Sequence, residues 1–552
     1  MSARELTVKA ALGEPSTAVR LAVAVGIPLL AVIALLAIAT IWFCDGHFVY
    51  SLDDPYISLA LGWQIGHGHY GLNPVETSSP SSSILYPFLL ALFAHTPVYE
   101  RVPLVINSLA ALGTAVCFAS MLAHYSIVQR RRDLAHSAIL LVTLCIAINV
   151  VGLVFTGLEH SLHVLASVLI VYGLARALEE GATPRWLVAT IVLAPLLRFE
   201  GLALSGLAIV ALLIVGQFRA AIVAFLAIAV ALAAYVSAMI LLGLPPLPSS
   251  VLIKAPVFAS SHLGILGALW KPLSVALNYK QALSLGVCLL ALLAHPVLRA
   301  AGIVGADDEY RLPWKSEMLF VTTVSGAVLA HVMFGSWGWW YRYEIYVVAL
   351  TAAATLVVWR AQLGAFIAKA RSWQVALAVF VLLGINLLYV RATILDPLAG
   401  RGVYEQQYQL HRFAVEFYRA PVAANDIGWL SYGNPNYVLD LWGLGSETAR
   451  KARLVTHRAG WMNDLVESHR IGLAMIYAHW FGGDVPTTWR RIATMRGAHL
   501  PVNGSGNEVS FYATTPTAIA KAVAALSEFK QAAGSTVNVT FDEETMAGSQ
   551  PL

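Results

Sequence analysis

Long apolar runs separated by short polar connections fill the chain from about residue 20 to about residue 391, and then the pattern changes. Runs at about 21–43, 102–125, 135–155, 161–178, 220–242, 281–298, 316–334, 344–359 and 374–391 approach the length of about 20 residues that a helix needs to cross a bilayer. Two more, 186–197 and 202–216, are shorter and flank the polar turn Arg198-Phe199-Glu200. The pattern therefore predicts about eleven transmembrane helices. The apolar stretch 84–95 is too short to cross and reads as a re-entrant or interfacial helix.

From residue 392 the runs give way to Asp, Asn, Arg, His and Gly at the density of a soluble domain. Tyr404–Arg419 has helical periodicity, Val422–Ala424, Tyr437–Leu441, Gly472–Tyr477 and Val509–Ala513 read as short strands, and Ala518–Ala532 as a helix. The expected fold class is a polytopic α-helical membrane protein with a C-terminal α/β domain. Its parts are an N-terminal segment 1–20, a membrane domain 21–391 whose first external loop is 44–101, and the α/β domain 392–552, with the last dozen residues unstructured.

Composition sharpens the picture. Of 552 residues, 58% are hydrophobic and 12% charged, against about 45–50% and 25% in soluble domains, and the mean hydropathy is +0.70. The net charge of +4 is spread out, with no Lys/Arg-rich run, so no nucleic acid is expected as partner and membrane lipids are. Cys44, Cys117, Cys145 and Cys288 all lie in or beside apolar runs, so the tail can build neither a disulfide framework nor a cysteine metal site. Leu21 to Phe43 has no small-residue cleavage site after it and is expected to be an uncleaved first span.

Charge bias then orients the helices. With a cytoplasmic N-terminus, one set of connections holds Arg130-Arg131-Arg132, Arg185, Arg219, Arg299 with Arg311 and Lys315, and Arg360 with Lys369 and Arg371. The other set is poor in surplus Lys and Arg and includes loop 44–101, Thr156–His160, Arg198–Gly201, 243–280, Ser336–Tyr343 and the tail. Positive charge stays inside, so the tail is expected to be extracytoplasmic.

Ionisable groups gather on that outer set. Asp53 and Asp54 are adjacent carboxylates just beyond a span, and an Asp-Asp-Pro helix cap explains them as readily as catalysis does. Glu159 and His160 join two spans, Arg198 and Glu200 join the two short ones, Lys254 follows another, and Trp340, Tyr341 and Arg342 precede the next. Singly, each has a structural explanation: an ion pair, a snorkelling cation or an interfacial aromatic. Together on one face they supply a carboxylate base, cations for a phosphate and aromatics for a sugar ring. Sugar transfer from a lipid phosphate needs that inventory, because a hydroxyl must lose a proton while the departing phosphate is stabilised.

Asp53-Asp54-Pro55-Tyr56-Ile57-Ser58, continuing through Gly68, Asn73-Pro74 and Ser78-Ser79-Pro80, resembles the GT-C superfamily of polyprenyl-phosphate-sugar glycosyltransferases, in particular its bacterial terminal arabinofuranosyltransferase-like branch. Gly157-Leu158-Glu159, Arg198-Phe199-Glu200-Gly201, Leu247 to Lys254, Asn425-Asp426-Ile427-Gly428 and Asp440 to Leu444 are similar to later elements of that branch. The pattern departs at Phe199, where the branch has Pro, and at Ser249-Ser250, where it has Asn-Thr, so arabinose is only one candidate sugar.

The resemblance implies an inverting glycosyltransferase in a bacterial inner membrane. It would move a sugar from a polyprenyl-phosphate donor to a glycan, lipid or protein acceptor, with Asp53 as base and Asp54 in support. Some members use a divalent cation, Mg or Mn, and others do not; Asp54 is the residue that would hold it. Glu159, His160, Arg198, Glu200, Lys254, Trp340, Tyr341 and Arg342 are the expected substrate-binding residues. A transporter or flippase of lipid-linked or anionic substrates is the alternative, and it calls for charges near the midplane and inverted repeats.

Overall fold

The computed structural model describes residues 16–254, 273–274, 278–304, 312–504 and 506–542. Of the last dozen residues, expected to be unstructured, Phe541 ends a strand; residues 543–552, the N-terminal segment as far as residue 15, Arg311 and the side chain of Lys254 lie outside that set.

Each apolar run is helical, but six helices among the described residues are long and apolar enough to cross a membrane, or up to eight if each bent pair counts as one span. The expectation of about eleven spans is thus not met by length and composition. Arg185–Leu197 and Gly201–Ile214 are short apolar helices, Arg131–Ala147 is followed by a turn and the stub Gly152–Phe155, and 84–95 is helical only over Tyr86–Ala91. Burial sorts the spans: the apolar windows of Thr17–Phe43 and Phe218–Leu241 are 22% buried, whereas that of His160–Glu180 is 72% buried. The first two present Leu35, Ile38, Phe225 and Val230 outward, as helices facing lipid do, and the third is the bundle's centre.

The last membrane helices explain how the tail is attached. Ser372–Ile385 breaks by 76° at Asn386, whose Oδ1 accepts the Ser284 hydroxyl at 2.5 Å. The helical course then runs from Leu387 to Tyr418, loosening into π turns at Tyr404–Tyr408 and Phe413–Tyr418. The helix expected to begin at Tyr404 is therefore the end of one that starts in the bundle and passes residue 392 unbroken.

The tail is a six-stranded mixed sheet, β1 Val422–Ala424, β2 Val438–Asp440, β3 Leu473–Ile476, β4 Arg490–Gly497, β5 Glu508–Ala513 and β6 Val537–Phe541, in the order β2-β1-β3-β5-β4-β6. The β2-β1 and β1-β3 pairs are parallel and the rest antiparallel. Helix Ala518–Ala533 covers one face, where Phe413 meets Phe511 at 5.3 Å and Phe529 at 5.5 Å between ring centres. Strands β4 and β6 were not expected. β4 carries Arg490, Arg491 and Arg496, and only Ile492, Ala493 and Met495 are fully buried along it.

The tail is fastened to the first loop by polar contacts. Asp53 precedes helix Asp54–Gly66 but does not cap it. Its Oδ2 accepts the N–H of Gly428 at 2.6 Å and its Oδ1 that of Trp429 at 2.8 Å, so it caps the short tail helix Gly428–Ser431 instead. Asn73 pairs with both backbone groups of Val438 at 3.0 Å, taking the place of a neighbouring strand on edge strand β2. Asn503 Nδ2 donates to Ser51 O at 2.9 Å, Tyr437 donates to Glu76 at 2.6 Å, and Tyr56 stacks on Trp429 with ring centres 4.0 Å apart.

This seam leaves no room at Gly428, where a Cβ would lie 2.1 Å from the Asp53 carbonyl oxygen and 2.5 Å from its Oδ2. Gly428→Ala is expected to cost about 1–3 kcal/mol, read as a lower unfolding midpoint and faster proteolysis of the tail. Gly483→Ala, with nothing within 4 Å of the added carbon, should leave both unchanged.

Candidate active site at the seam

A cavity of about 770 Å³ lies between one end of the bundle and the tail. The bundle contributes Asp54, Glu159, His160, Arg198, Ser250 and Arg342, and the tail contributes Asn425, Asp426, Trp442, His479, Trp480 and Asn507. Five of the residues picked from the sequence thus meet here: Asp54, Glu159, His160, Arg198 and Arg342.

The two arginines are placed differently. Arg198 sits in the turn between the two short helices and is 3% exposed. Its Nη1 donates to Glu159 Oε1 at 2.6 Å and its Nη2 to Glu200 Oε1 at 2.7 Å, with Ser82 Oγ 3.4 Å away. Two carboxylates therefore already neutralise it. Arg342 is 6% exposed; its Nη2 reaches Asp54 Oδ2 at 2.5 Å and the Tyr343 hydroxyl at 2.9 Å, while Nε and Nη1 have no hydrogen-bond partner. Buried guanidinium donors without partners are costly, and Arg342 lines the cavity.

A strained turn delivers Arg342. Gly338, Trp339, Trp340 and Tyr341 have φ of 74°, 45°, 60° and 53°, so three residues other than glycine sit in the left-handed region, each at a cost of about 1–3 kcal/mol. Several hydrogen bonds hold the turn: Gly338 N–H donates to Glu344 at 3.1 Å, Trp340 Nε1 to Asp396 at 2.7 Å, and Asn149 Nδ2 to Tyr341 O at 3.3 Å. One turn of left-handed helix brings residues three apart to the same side, so Trp339 and Arg342 line the cavity together.

This placement corrects two sequence expectations: Trp340 packs in a buried cluster with Leu52 and Leu158, and Tyr341 packs edge-on against Tyr389, 5.8 Å between centres. Trp339 and Tyr343 are the aromatics that the bundle presents to the cavity.

Two further expectations shift. Glu200 is not in the wall; it holds Arg198 from behind. Asp53, expected to be the base, spends both oxygens on tail N–H groups and does not line the cavity, whereas its neighbour Asp54 does. Lys254 ends the short helix Ser249–Lys254, of which Ser250 and Ile253 line the wall.

Asp426 is a wall residue to which sequence reasoning assigned no role, although the segment 425–428 stood out as a motif. Its Oδ2 accepts Gln407 Nε2 at 2.8 Å and the Tyr477 hydroxyl at 3.4 Å. Burial, and then the charge of Asp426, push the Asp53 carboxyl well above the ordinary range, against the pull of the Trp429 N–H. Burial likewise raises Asp426. Behind the wall, Asp440 accepts Trp442 N at 2.7 Å and Gly445 N at 2.6 Å and so shapes the loop that carries Trp442; burial pushes its carboxyl up to about 6, against the pull of those N–H groups.

Among the described residues no three His, Cys, Asp or Glu side chains converge, and Asp54, the residue expected to hold a divalent cation, is paired with Arg342.

Residues 397–512 match a family model described as a domain of unknown function (DUF8728), a stretch that includes Asn425, Asp426, Trp442, Trp480 and Asn507. No curated protein matches the chain. Among solved structures, the archaeal oligosaccharyltransferase AglB from Archaeoglobus fulgidus, in complex with an inhibitory peptide and a dolichol-phosphate, is similar at 11% identity and a TM-score of 0.35, over 89% of this chain and 74% of that one. The apo form of the Archaeoglobus fulgidus oligosaccharyltransferase is similar at 13% identity and a TM-score of 0.34, over 88% and 74%. Both likenesses are loose, and the chemistry below rests on the cavity itself.

The two adjacent aspartates should separate by experiment. Asp53→Asn replaces one of two acceptors with a donor facing a backbone N–H, so it should cost about 1–3 kcal/mol and loosen the tail. In Asp54→Asn the amide oxygen still accepts from Arg342, so the unfolding midpoint should fall less. Equal losses would mean that Asp53 does not hold the seam.

Proposed function

We propose that this chain is a membrane glycosyltransferase of the GT-C kind, which moves a sugar from a polyprenyl-phosphate donor to an acceptor in the seam cavity, on the extracytoplasmic side of a bacterial inner membrane. One observation carries the reading: Arg342, buried and with Nε and Nη1 unpartnered, stands beside the cavity carboxylate Asp54. An anion-binding group and a proton acceptor then sit side by side, at the membrane end of a cavity large enough for a sugar phosphate and an acceptor. The Asp-Asp-Pro resemblance and the outward charge bias support the same reading.

In this mechanism the donor phosphate takes the free guanidinium donors of Arg342, with Trp339 and Tyr343 beside it. The acceptor hydroxyl attacks the anomeric carbon in a single inverting displacement, and Asp54 takes its proton. The phosphate leaves with charge that Arg342 meets in place, without reorganisation. Arg198 shapes the floor through Glu159 and Glu200 instead of binding the donor. Asp53 positions Asp54 by fixing the start of the helix to the tail. Arabinose stays one candidate among the donor sugars.

The test is purified protein in nanodiscs with a panel of radiolabelled polyprenyl-phosphate sugars, scored for loss of label from the lipid. Asp54→Asn should lower turnover by about 10²–10⁴-fold, the usual contribution of a positioned base, with donor binding nearly intact. Arg342→Gln should weaken donor binding and turnover together, because its contacts serve both ground and transition states. Near-normal turnover in folded Asp54→Asn would move the base to Asp426.

A further inference from the structure

The two walls of the cavity differ in chemistry. The bundle wall carries both buried arginines, Arg198 and Arg342, and the aromatics Trp339 and Tyr343. The tail wall carries two indoles and two amides: Trp442, Trp480, Asn425 and Asn507. Trp442 and Trp480 meet edge to face with centres 5.0 Å apart and planes at 63°. The Arg453 guanidinium lies 3.5 Å from the ring centre of Trp442, pinning that indole. Asn425 is 3% exposed; its Oδ1 accepts the Tyr477 N–H at 3.0 Å, and its Nδ2 has no partner.

We infer that the tail wall is a binding subsite for a neutral carbohydrate, which on the transferase reading is the acceptor. A sugar ring has C–H faces that pack on indoles and a rim of hydroxyls that take hydrogen bonds. A pinned pair of indoles beside a buried, unsatisfied amide donor supplies both contacts. The carboxylate Asp426 adjoins Asn425 in the same wall and can take a further hydroxyl.

A peptide acceptor fits less well. Extended peptides are held by adding a strand to an open sheet edge. The near edge, β2, is already closed by Asn73 through both backbone groups of Val438. An anionic ligand is served by the opposite wall. The cavity thus sorts its substrates by wall, the phosphate-bearing donor toward the bundle and the uncharged acceptor toward the tail.

The experiment uses the full chain in nanodiscs, titrated with neutral trisaccharides (mannotriose, maltotriose, galactotriose and arabinotriose) and, separately, with a nonapeptide bearing Asn, Ser and Thr. Binding is read by saturation-transfer NMR and tryptophan fluorescence. At least one trisaccharide should bind, and Trp480→Ala should weaken it about tenfold or more, equivalent to about 1.4 kcal/mol. Arg342→Gln should leave that binding unchanged. Should Trp480→Ala fail to fold, Trp480→Leu and Asn507→Ala serve in its place, since Asn507 is exposed.

The inference is overturned if no trisaccharide binds, if the peptide alone binds, or if trisaccharide binding is indifferent to both tail variants. Trisaccharide binding through Trp480 in protein that consumes no polyprenyl-phosphate sugar would keep the subsite and reject the transferase.

Discussion

The two halves of this molecule meet through a buried carboxylate, Asp53, together with the contacts of Asn73, Asn503, Tyr437 and Tyr56. Asp53 stands where the segment after the first helix enters helix Asp54–Gly66, yet its oxygens serve N–H groups of the tail, 2.6 and 2.8 Å away. Helix N-termini hold orphan donors that need an acceptor, and here that acceptor comes from another part of the fold. The cavity lies beside this junction, since Asp54, which follows Asp53, and Asp426, two residues before Gly428, both line it. Losing the junction would move both walls, so site geometry and the attachment of the tail are one property.

Charge is handled by two separate strategies. Arg198 is closed by Glu159 and Glu200 and acts as internal structure. Arg342 is left partly open, on a turn of left-handed backbone that is costly to maintain. Strain that surrounding hydrogen bonds hold in place, next to unsatisfied donors, is the usual sign of a group prepared for a ligand.

The bundle was legible because composition decides it: a run such as Phe218–Leu241 has no other stable form in lipid. Charged groups between apolar runs stood out for the same reason, through the cost of burying them in lipid, and Asp54, Glu159, His160, Arg198 and Arg342 do meet at one cavity. Roles within that group were not legible. The partners of Asp53 lie 375 and 376 residues away, and no local pattern reports them. The left-handed turn has glycine only at its first position, so nothing in Trp339-Trp340-Tyr341 announced that Trp340 would turn inward and Trp339 outward. β4 was hidden by its arginines, whereas β6 did show its alternation, with Val537 and Val539 buried between exposed Asn538 and Thr540.

The unbroken course from Leu387 to Tyr418 has a mechanical meaning. At about 1.5 Å per residue it is a strut of roughly 48 Å, longer than the hydrocarbon core of about 30 Å. Its first half, with Tyr389, Val403 and Tyr404, packs in the core of the bundle, and its second, with Leu410, Phe413 and Tyr418, in the core of the tail. One continuous rod thus belongs to both cores, and the tail cannot turn against the bundle without bending it.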